Sequence, residues 1–241
     1  MGITNTLSAV AVTAKICFPT VADAFMNRTS LDACDERLAW WSRRLLDDAE
    51  VTLTVEGAEN IPRASSTGEE PAFVIMTNHR SYYDIPTVFC CVPGRVRMIA
   101  KKELFYTPIF GRAMLAAGFI KIDRDKREKA VASLKESGDL LKRGVRVWIA
   151  PEGTRSRDGA LGPFKSGGFH LAIDGGVPIL PIALEGTERI LSASSVAVQM
   201  GAHVRAQILP PIDAAAYGPG KRKELTADVR AALAHALGQE P

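Results

Sequence analysis

From residue 51 onward, short apolar segments of strand length alternate with longer amphipathic segments. Residues 72–77 form a continuous apolar run, which predicts a strand buried on both faces. Such alternation predicts an α/β fold with a mostly parallel sheet flanked by helices. The other predicted strands are 51–55, 97–100, 119–122, 145–149, 178–184 and 204–209. The predicted helices are 85–92, 105–117, 128–143, 169–174 and 221–237.

Residues 1–50 form a separate N-terminal helical segment, and residues 51–241 form the domain that carries the sheet. Trp40 and Trp41 lie beside two arginines, a combination suited to lipid headgroups, although the tryptophans could instead dock the helix on the core. The nearest candidate for a membrane span, 7–18, is shorter than the ~20 apolar residues required and contains Lys15. We therefore expect contact with a membrane surface rather than a membrane span.

Composition excludes several classes of function. The net charge of +3 argues against bulk binding of nucleic acid. The four cysteines lack a C-x-x-C spacing, so we expect them to be reduced. The four histidines are scattered without a cysteine or carboxylate frame, and we expect no metal site.

A histidine and an aspartate follow the predicted strand 72–77, at positions His79 and Asp84. Histidine titrates near neutral pH and suits a general base, while a carboxylate can fix its tautomer and stabilise the imidazolium. The alternative is a buried histidine that is merely satisfied by a nearby carboxylate.

A second polar segment, PEGTRS, follows the predicted strand 145–149. Arginine binds phosphate through two parallel hydrogen bonds, and Gly153 allows close approach of the backbone to a ligand. Glu152 could hold substrate hydroxyls or orient Arg155. Lys101 and Arg124 follow two other predicted strands, so all these groups are expected to converge at the carboxyl edge of the sheet. For Arg124 and its charged neighbours, the alternative is a surface salt-bridge network.

The sequence contains no G-x-S-x-G elbow and no P-loop. It also has no cysteine in an obviously electropositive setting. The base is therefore expected to activate the hydroxyl of the substrate itself. Such a reaction needs an activated acyl donor such as a thioester.

Four segments, NHRSYYD, GFIKIDR, PEGTRS and VPILPIA, occur in this order. Together with VEGAENIP, AKKEL and LEGT, they resemble the lysophosphatidic acid acyltransferase (1-acylglycerol-3-phosphate acyltransferase) family over roughly residues 51–191. The resemblance implies a glycerol-3-phosphate acyltransferase-like fold. It also implies transfer of a fatty acyl group from acyl-CoA or acyl carrier protein to the sn-2 hydroxyl of lysophosphatidic acid, giving phosphatidic acid.

The resemblance also implies residue roles, with His79 as the base and Asp84 as its partner. Substrate binding falls to Lys101, Arg124, Glu152, Gly153, Thr154 and Arg155. Val177, Pro178 and Pro181 would line the acyl side or support the site.

By the same resemblance, the enzyme would need no cofactor beyond the acyl-CoA or acyl carrier protein co-substrate. Because its acceptor would lie in the bilayer and its N-terminal segments are short and polar, we expect a peripheral protein on the cytoplasmic face of the membrane. Three alternatives stay open. One is a related acyltransferase with another acceptor, such as a lyso-ornithine lipid or a different lysophospholipid. Another is a thioester hydrolase in which His79 activates water. The third is a non-catalytic lipid-binding protein.

Overall fold

The computed structural model describes residues 2–64, 70–123 and 138–240. Seven described strands form one sheet in the order β1-β7-β6-β2-β5-β3-β4. All neighbouring strands are parallel except β6 and β7. The strands are β1 (Thr52–Glu56), β2 (Val74–Thr77), β3 (Val96–Lys101), β4 (Ile120–Ile122), β5 (Arg146–Ile149), β6 (Ile179–Glu185) and β7 (His203–Ile208). The predicted, largely parallel α/β sheet is confirmed.

Seven α-helices lie entirely within the described residues. They are α1 (Gly2–Phe25), α2 (Leu31–Asp48), α3 (Asp84–Cys91), α4 (Phe110–Ala116), α5 (Gly167–Gly175), α6 (Thr187–Ile190) and α7 (Arg222–Ala236). The predicted helix at 128–143 lies mostly outside the described residues.

The sheet is covered by apolar side chains on both faces. Alternate residues around β2 enter opposite layers, because successive side chains of a strand point to opposite faces. Val74 and Met76 join the layer that contains the helices α5 and α7, whereas Phe73 and Ile75 join the layer with α3 and α4. The loops beyond the strand ends are therefore held on a rigid support.

The N-terminal segment is helical, as predicted. α1 runs for 24 residues without a break, and by length and composition it could cross a membrane, whereas the candidate span at 7–18 was too short. The hydroxyls of Thr13 and Thr20 are satisfied within the helix, because each donates to the carbonyl four residues earlier. Most of α1 is not buried in the protein.

Trp40 and Trp41 have different surroundings in α2. The Trp41 indole donates a hydrogen bond of 3.0 Å to Thr13, which ties α2 to α1. Trp40 is 45% exposed. Trp41 therefore docks its helix on the rest of the protein, which was the alternative interpretation. Of the two tryptophans, only Trp40 is exposed enough to contact lipid.

The predicted helix 105–117 is wrong at its start. A 3₁₀ helix covers Lys102–Tyr106, and α4 begins only at Phe110. Thr107 is extended because a residue that precedes proline avoids helical dihedral angles. Ile109 then adopts a positive φ of 63° before the helix begins.

Candidate active site

The polar segments after β2 and β5 meet at one edge of the sheet. The two strands are parallel neighbours, so their carboxyl ends lie side by side. The backbone amide of Ser156 donates to the carbonyl of His79 at 2.7 Å. The two segments that the sequence places 70 residues apart are therefore one connected structure.

His79 and Asp84 form a direct pair. The Nδ1 atom of His79 lies 2.7 Å from Oδ2 of Asp84, and the His79 side chain is 19% exposed. With Nδ1 held by the carboxylate, Nε2 is the ring nitrogen free to accept a proton. Within the described residues, no hydroxyl or thiol hydrogen-bonds to this ring.

Asp84 is completely buried, and both of its oxygens are occupied. Oδ2 also accepts the backbone amides of Arg80 and Ser81, and Oδ1 accepts the Thr187 hydroxyl at 2.5 Å. The carboxylate is therefore fixed in position by the turn before α3 and by the first residue of α6. Thr187 was not predicted as a site residue, although it lies in the LEGT segment.

Glu152 connects the two polar segments. Oε1 accepts the backbone amide of His79 at 2.8 Å, and Oε2 accepts that of Gly162 at 2.9 Å. Burial raises the pKa of the Glu152 carboxyl, and the two amide donors partly oppose this shift. Both oxygens are already occupied, which favours a role in positioning His79 over one in holding substrate hydroxyls.

Arg155 lies over an aromatic ring at the same edge. Its guanidinium carbon is 3.9 Å from the centroid of the Tyr82 ring, within the range of a cation–π contact. Its Nη1 atom is buried without a hydrogen-bond partner among the described residues. Gly153 has a φ of 74°, which favours glycine, and Thr154 is exposed. A donor that lacks a partner in this loop suits an anionic ligand.

Lys101 ends β3 at the same edge and is half exposed, with its Nζ 3.6 Å from Glu103. Lys102 contacts Asp123 at 2.8 Å. Arg124 lies outside the described residues, so its predicted role stays a prediction.

Val177 and Pro178 lie at the opposite edge of the sheet, because they precede β6, which is parallel to β2. Val177 packs against the apolar layer that contains α5 and α7. Pro181 lies within β6 and pairs with Met76. These positions favour a supporting role over contact with an acyl chain at the His79 edge.

The described residues contain no convergent group of three or more histidine, cysteine or acidic side chains that could hold a metal ion. Burial raises the pKa of all four cysteine thiols, to about 11 for Cys17 and Cys90 and about 12 for Cys91. These thiols are therefore protonated at neutral pH and are poor nucleophiles.

Comparison with known proteins identifies the family. An acyltransferase family model matches residues 52–185. The 1-acyl-sn-glycerol-3-phosphate acyltransferase of Escherichia coli K12 is 34% identical over 167 residues, which is 69% of this chain and 67% of that protein. The chain belongs to the 1-acyl-sn-glycerol-3-phosphate acyltransferase family. It is an acyltransferase of this type.

Other members of this acyltransferase family are similar over comparable lengths. The chloroplastic enzyme LPAT1 of Arabidopsis thaliana is 38% identical over 160 residues, covering 66% of this chain and 43% of that protein. The alpha enzyme of Mus musculus is 33% identical over 181 residues, covering 75% of this chain and 61% of that protein.

The fold agrees with a solved structure. The 1-acyl-sn-glycerophosphate acyltransferase PlsC of Thermotoga maritima matches with a TM-score of 0.80 and 24% identity. The match covers 98% of this chain and 95% of that one. The shared architecture therefore extends through the N-terminal helices.

Proposed function

We propose that this acyltransferase moves a fatty acyl group from an acyl thioester, of coenzyme A or acyl carrier protein, to the sn-2 hydroxyl of lysophosphatidic acid. The observation that carries the proposal is the 2.7 Å contact between His79 and the buried, fully hydrogen-bonded Asp84. Family membership supports the acceptor, since the E. coli relative is named for 1-acyl-sn-glycerol-3-phosphate.

In this mechanism, Nε2 of His79 takes the proton of the acceptor hydroxyl as its oxygen attacks the thioester carbonyl carbon. Asp84 stabilises the imidazolium that forms. The tetrahedral intermediate then loses the carbon–sulfur bond, and the imidazolium returns the proton to the leaving thiolate. A new ester and a free thiol are the products, and no enzyme-bound acyl group is formed.

The His79 role is tested by thiol release from a long-chain acyl-CoA, with and without lysophosphatidic acid. His79→Ala should lower acceptor-dependent release by at least about 100-fold, because a positioned base contributes roughly 10²- to 10⁴-fold. His203→Ala is a matched control, since His203 is exposed on β7 and contacts Thr54 on β1. Near-normal release by His79→Ala would remove His79 from the chemistry.

The same assay separates the alternatives. Release that does not require an acceptor would indicate a thioester hydrolase. Release with a lyso-ornithine lipid or another lysophospholipid, but not with lysophosphatidic acid, would change the acceptor. If the protein bound vesicles but released no thiol from acyl-CoA or from the acyl thioester of acyl carrier protein, it would be a lipid-binding protein.

Arg155 is proposed to bind the phosphate of the acceptor through its buried Nη1, which has no hydrogen-bond partner among the described residues. Arg155→Ala should raise the KM for lysophosphatidic acid by about 10- to 100-fold, the equivalent of losing a charged hydrogen bond worth ~1.5–3 kcal/mol. Arg143→Ala is the control, because Arg143 is exposed and precedes β5, at the opposite edge of the sheet. An unchanged KM for the acceptor would exclude Arg155 from the phosphate site.

We further propose that the enzyme works at the cytoplasmic face of the membrane as a peripheral protein. The outer side of α1 supports contact with lipid, since several large apolar side chains of this helix are exposed.

A further inference from the structure

A polar cleft of about 760 Å³ lies beside the candidate active site. Its size is within the usual range of ligand sites, ~300–1,000 Å³. Among the residues that line it are Arg80, Ser156, Arg157, Ala160, Ser192 and Ser194. None of the described residues proposed above for catalysis or phosphate binding lines this cleft.

The cleft is lined by residues that adjoin His79. Arg80 directly follows His79 in the chain, and the amide of Ser156 donates to the His79 carbonyl at 2.7 Å. Both residues line the cleft. A ligand bound there would therefore extend away from the catalytic pair.

A second opening lies on the other side of the same turn. This apolar groove, of about 530 Å³, is lined by Tyr82, Tyr83 and Ile85. A second loop also contributes to both openings. Leu191 lines the groove, and Ser192, the next residue, lines the cleft. The turn that follows His79 thus contributes Arg80 to a polar opening and Tyr82 to an apolar one.

The walls of the cleft are held in place by hydrogen bonds. The Arg80 guanidinium donates to the carbonyl of Gly159 at 2.6 Å, and Arg230 donates to the carbonyls of Leu161 and Gly162. A site that is already formed loses little free energy to ordering when a ligand binds.

The charges that line the cleft are balanced. Three arginines, Arg80, Arg157 and Arg230, are matched by three acidic residues, Asp158, Glu188 and Glu240. Arg157 is exposed and has no ion-pair or hydrogen-bond partner in the described parts of the chain. Such a lining suits a long polar ligand that is mostly uncharged and carries one anionic end.

We propose that this cleft binds the phosphopantetheine arm of the acyl thioester. The arm has two neutral amides and one phosphate, and its thioester end must reach His79 for the proposed acyl transfer to occur, so the inference rests on that function. Coenzyme A and acyl carrier protein share this arm. The cleft would thus accept either carrier, with Arg157 near the phosphate.

The test is to fill the cleft. Ala160 is exposed on its wall, so Ala160→Trp should obstruct the arm without disturbing the core. We expect a fall of at least about tenfold in kcat/KM for both acyl-CoA and acyl carrier protein thioesters, equal to roughly 1.4 kcal/mol. The rate with a short acyl-N-acetylcysteamine thioester, and the KM for lysophosphatidic acid, should not change.

Ala216→Trp is the matched control, because Ala216 is exposed in a 3₁₀ turn that does not line the cleft. If Ala160→Trp fails to fold, Ser194→Trp places the same bulk on another lining residue. An equal fall in kcat/KM with the acyl-N-acetylcysteamine donor and with the acyl-CoA and acyl carrier protein donors would overturn the proposal. No fall with any of these donors would also overturn it. Loss with acyl-CoA alone would point to the nucleotide instead and would also overturn it.

Binding of free coenzyme A and of pantetheine phosphate, measured by calorimetry, tests the cleft without turnover. Both should bind the wild type more tightly than Ala160→Trp, and equal affinities would reject the cleft. A wild type that binds both yet releases no thiol in the presence of any acceptor would refute the acyl transfer while leaving the binding site in place.

Discussion

Both carboxylate oxygens of Glu152 accept backbone amide protons, one from the residue of the proposed base and one from Gly162. The side chain is 5% exposed. The loop that carries Arg155 and the turn that carries His79 are therefore joined through one carboxylate. At the scale of single residues, the proposed base depends on this bridge as well as on Asp84.

Glu152→Gln tests the bridge, because an amide can accept only one of the two backbone N–H groups and turns a donor toward the other. An unsatisfied buried donor costs ~1–3 kcal/mol, so we expect a loss of stability in this range. We also expect a lower kcat with little change in the KM for the acceptor.

Urea unfolding and steady-state kinetics measure these two effects. Glu36→Gln serves as the control, since Glu36 is exposed on α2. If Glu152→Gln instead changed only the KM for the acceptor, Glu152 would be a substrate ligand.

At the scale of elements, α2 is attached to the sheet by charge as well as by apolar packing. Arg97 on β3 is almost fully buried, and its Nη1 lies 2.5 Å from Oδ1 of Asp35 on α2. The contact is an ion pair rather than an aligned hydrogen bond, since this oxygen accepts none. Arg95 also contacts Asp35, at 2.8 Å.

Asp35→Ala should therefore destabilise the protein by about 3 kcal/mol, because it leaves the buried charge of Arg97 without its partner. The expected loss is at the lower end of the usual ~3–5 kcal/mol because Asp35 is partly exposed. Asp32→Ala removes the other carboxylate that contacts Arg95, and it should cost less than about 1 kcal/mol because Asp32 is 82% exposed. If urea unfolding showed the same loss of unfolding free energy for both variants, the buried pair would contribute no more to stability than the exposed one.

At the scale of the whole molecule, one side of the N-terminal helix carries a row of exposed apolar side chains. Large exposed side chains on α1 are Ile3, Leu7, Val10, Phe18 and Phe25. Several recur at intervals of three, four or seven residues, so they share one face of a helix. A lipid acceptor lies in the bilayer, so this face would bring the enzyme to its substrate.

Leu7→Asp should weaken binding to phosphatidylglycerol-containing vesicles by at least about tenfold, since burying a leucine side chain contributes ~1.5–3 kcal/mol. Thiol release from acyl-CoA presented with acceptor in detergent micelles should be much less affected. Val55→Asp is the control, because Val55 is an exposed apolar residue on β1. Equal vesicle binding by Leu7→Asp and the wild type would refute the assignment of this face. Retention after an alkaline carbonate wash would indicate a spanning helix instead of a peripheral one.

The sequence alone was enough to predict the parallel α/β sheet and the pairing of His79 with Asp84. Both follow from local rules, because strand patterns repeat every two residues and a five-residue turn brings two side chains close together. The boundary at residue 50 and the roles of the phosphate-binding residues stay predictions.

Other features depended on contacts between distant segments. The Thr187 hydroxyl on Asp84, the two amides on Glu152 and the stacking of Arg155 on Tyr82 join parts of the chain that no local pattern relates. The same is true of the division between a polar cleft and an apolar groove. Periodicity and motif spacing report which residues lie on a face or at a strand end, whereas only the packed chain decides which of those ends meet and which polar atoms are left without a partner.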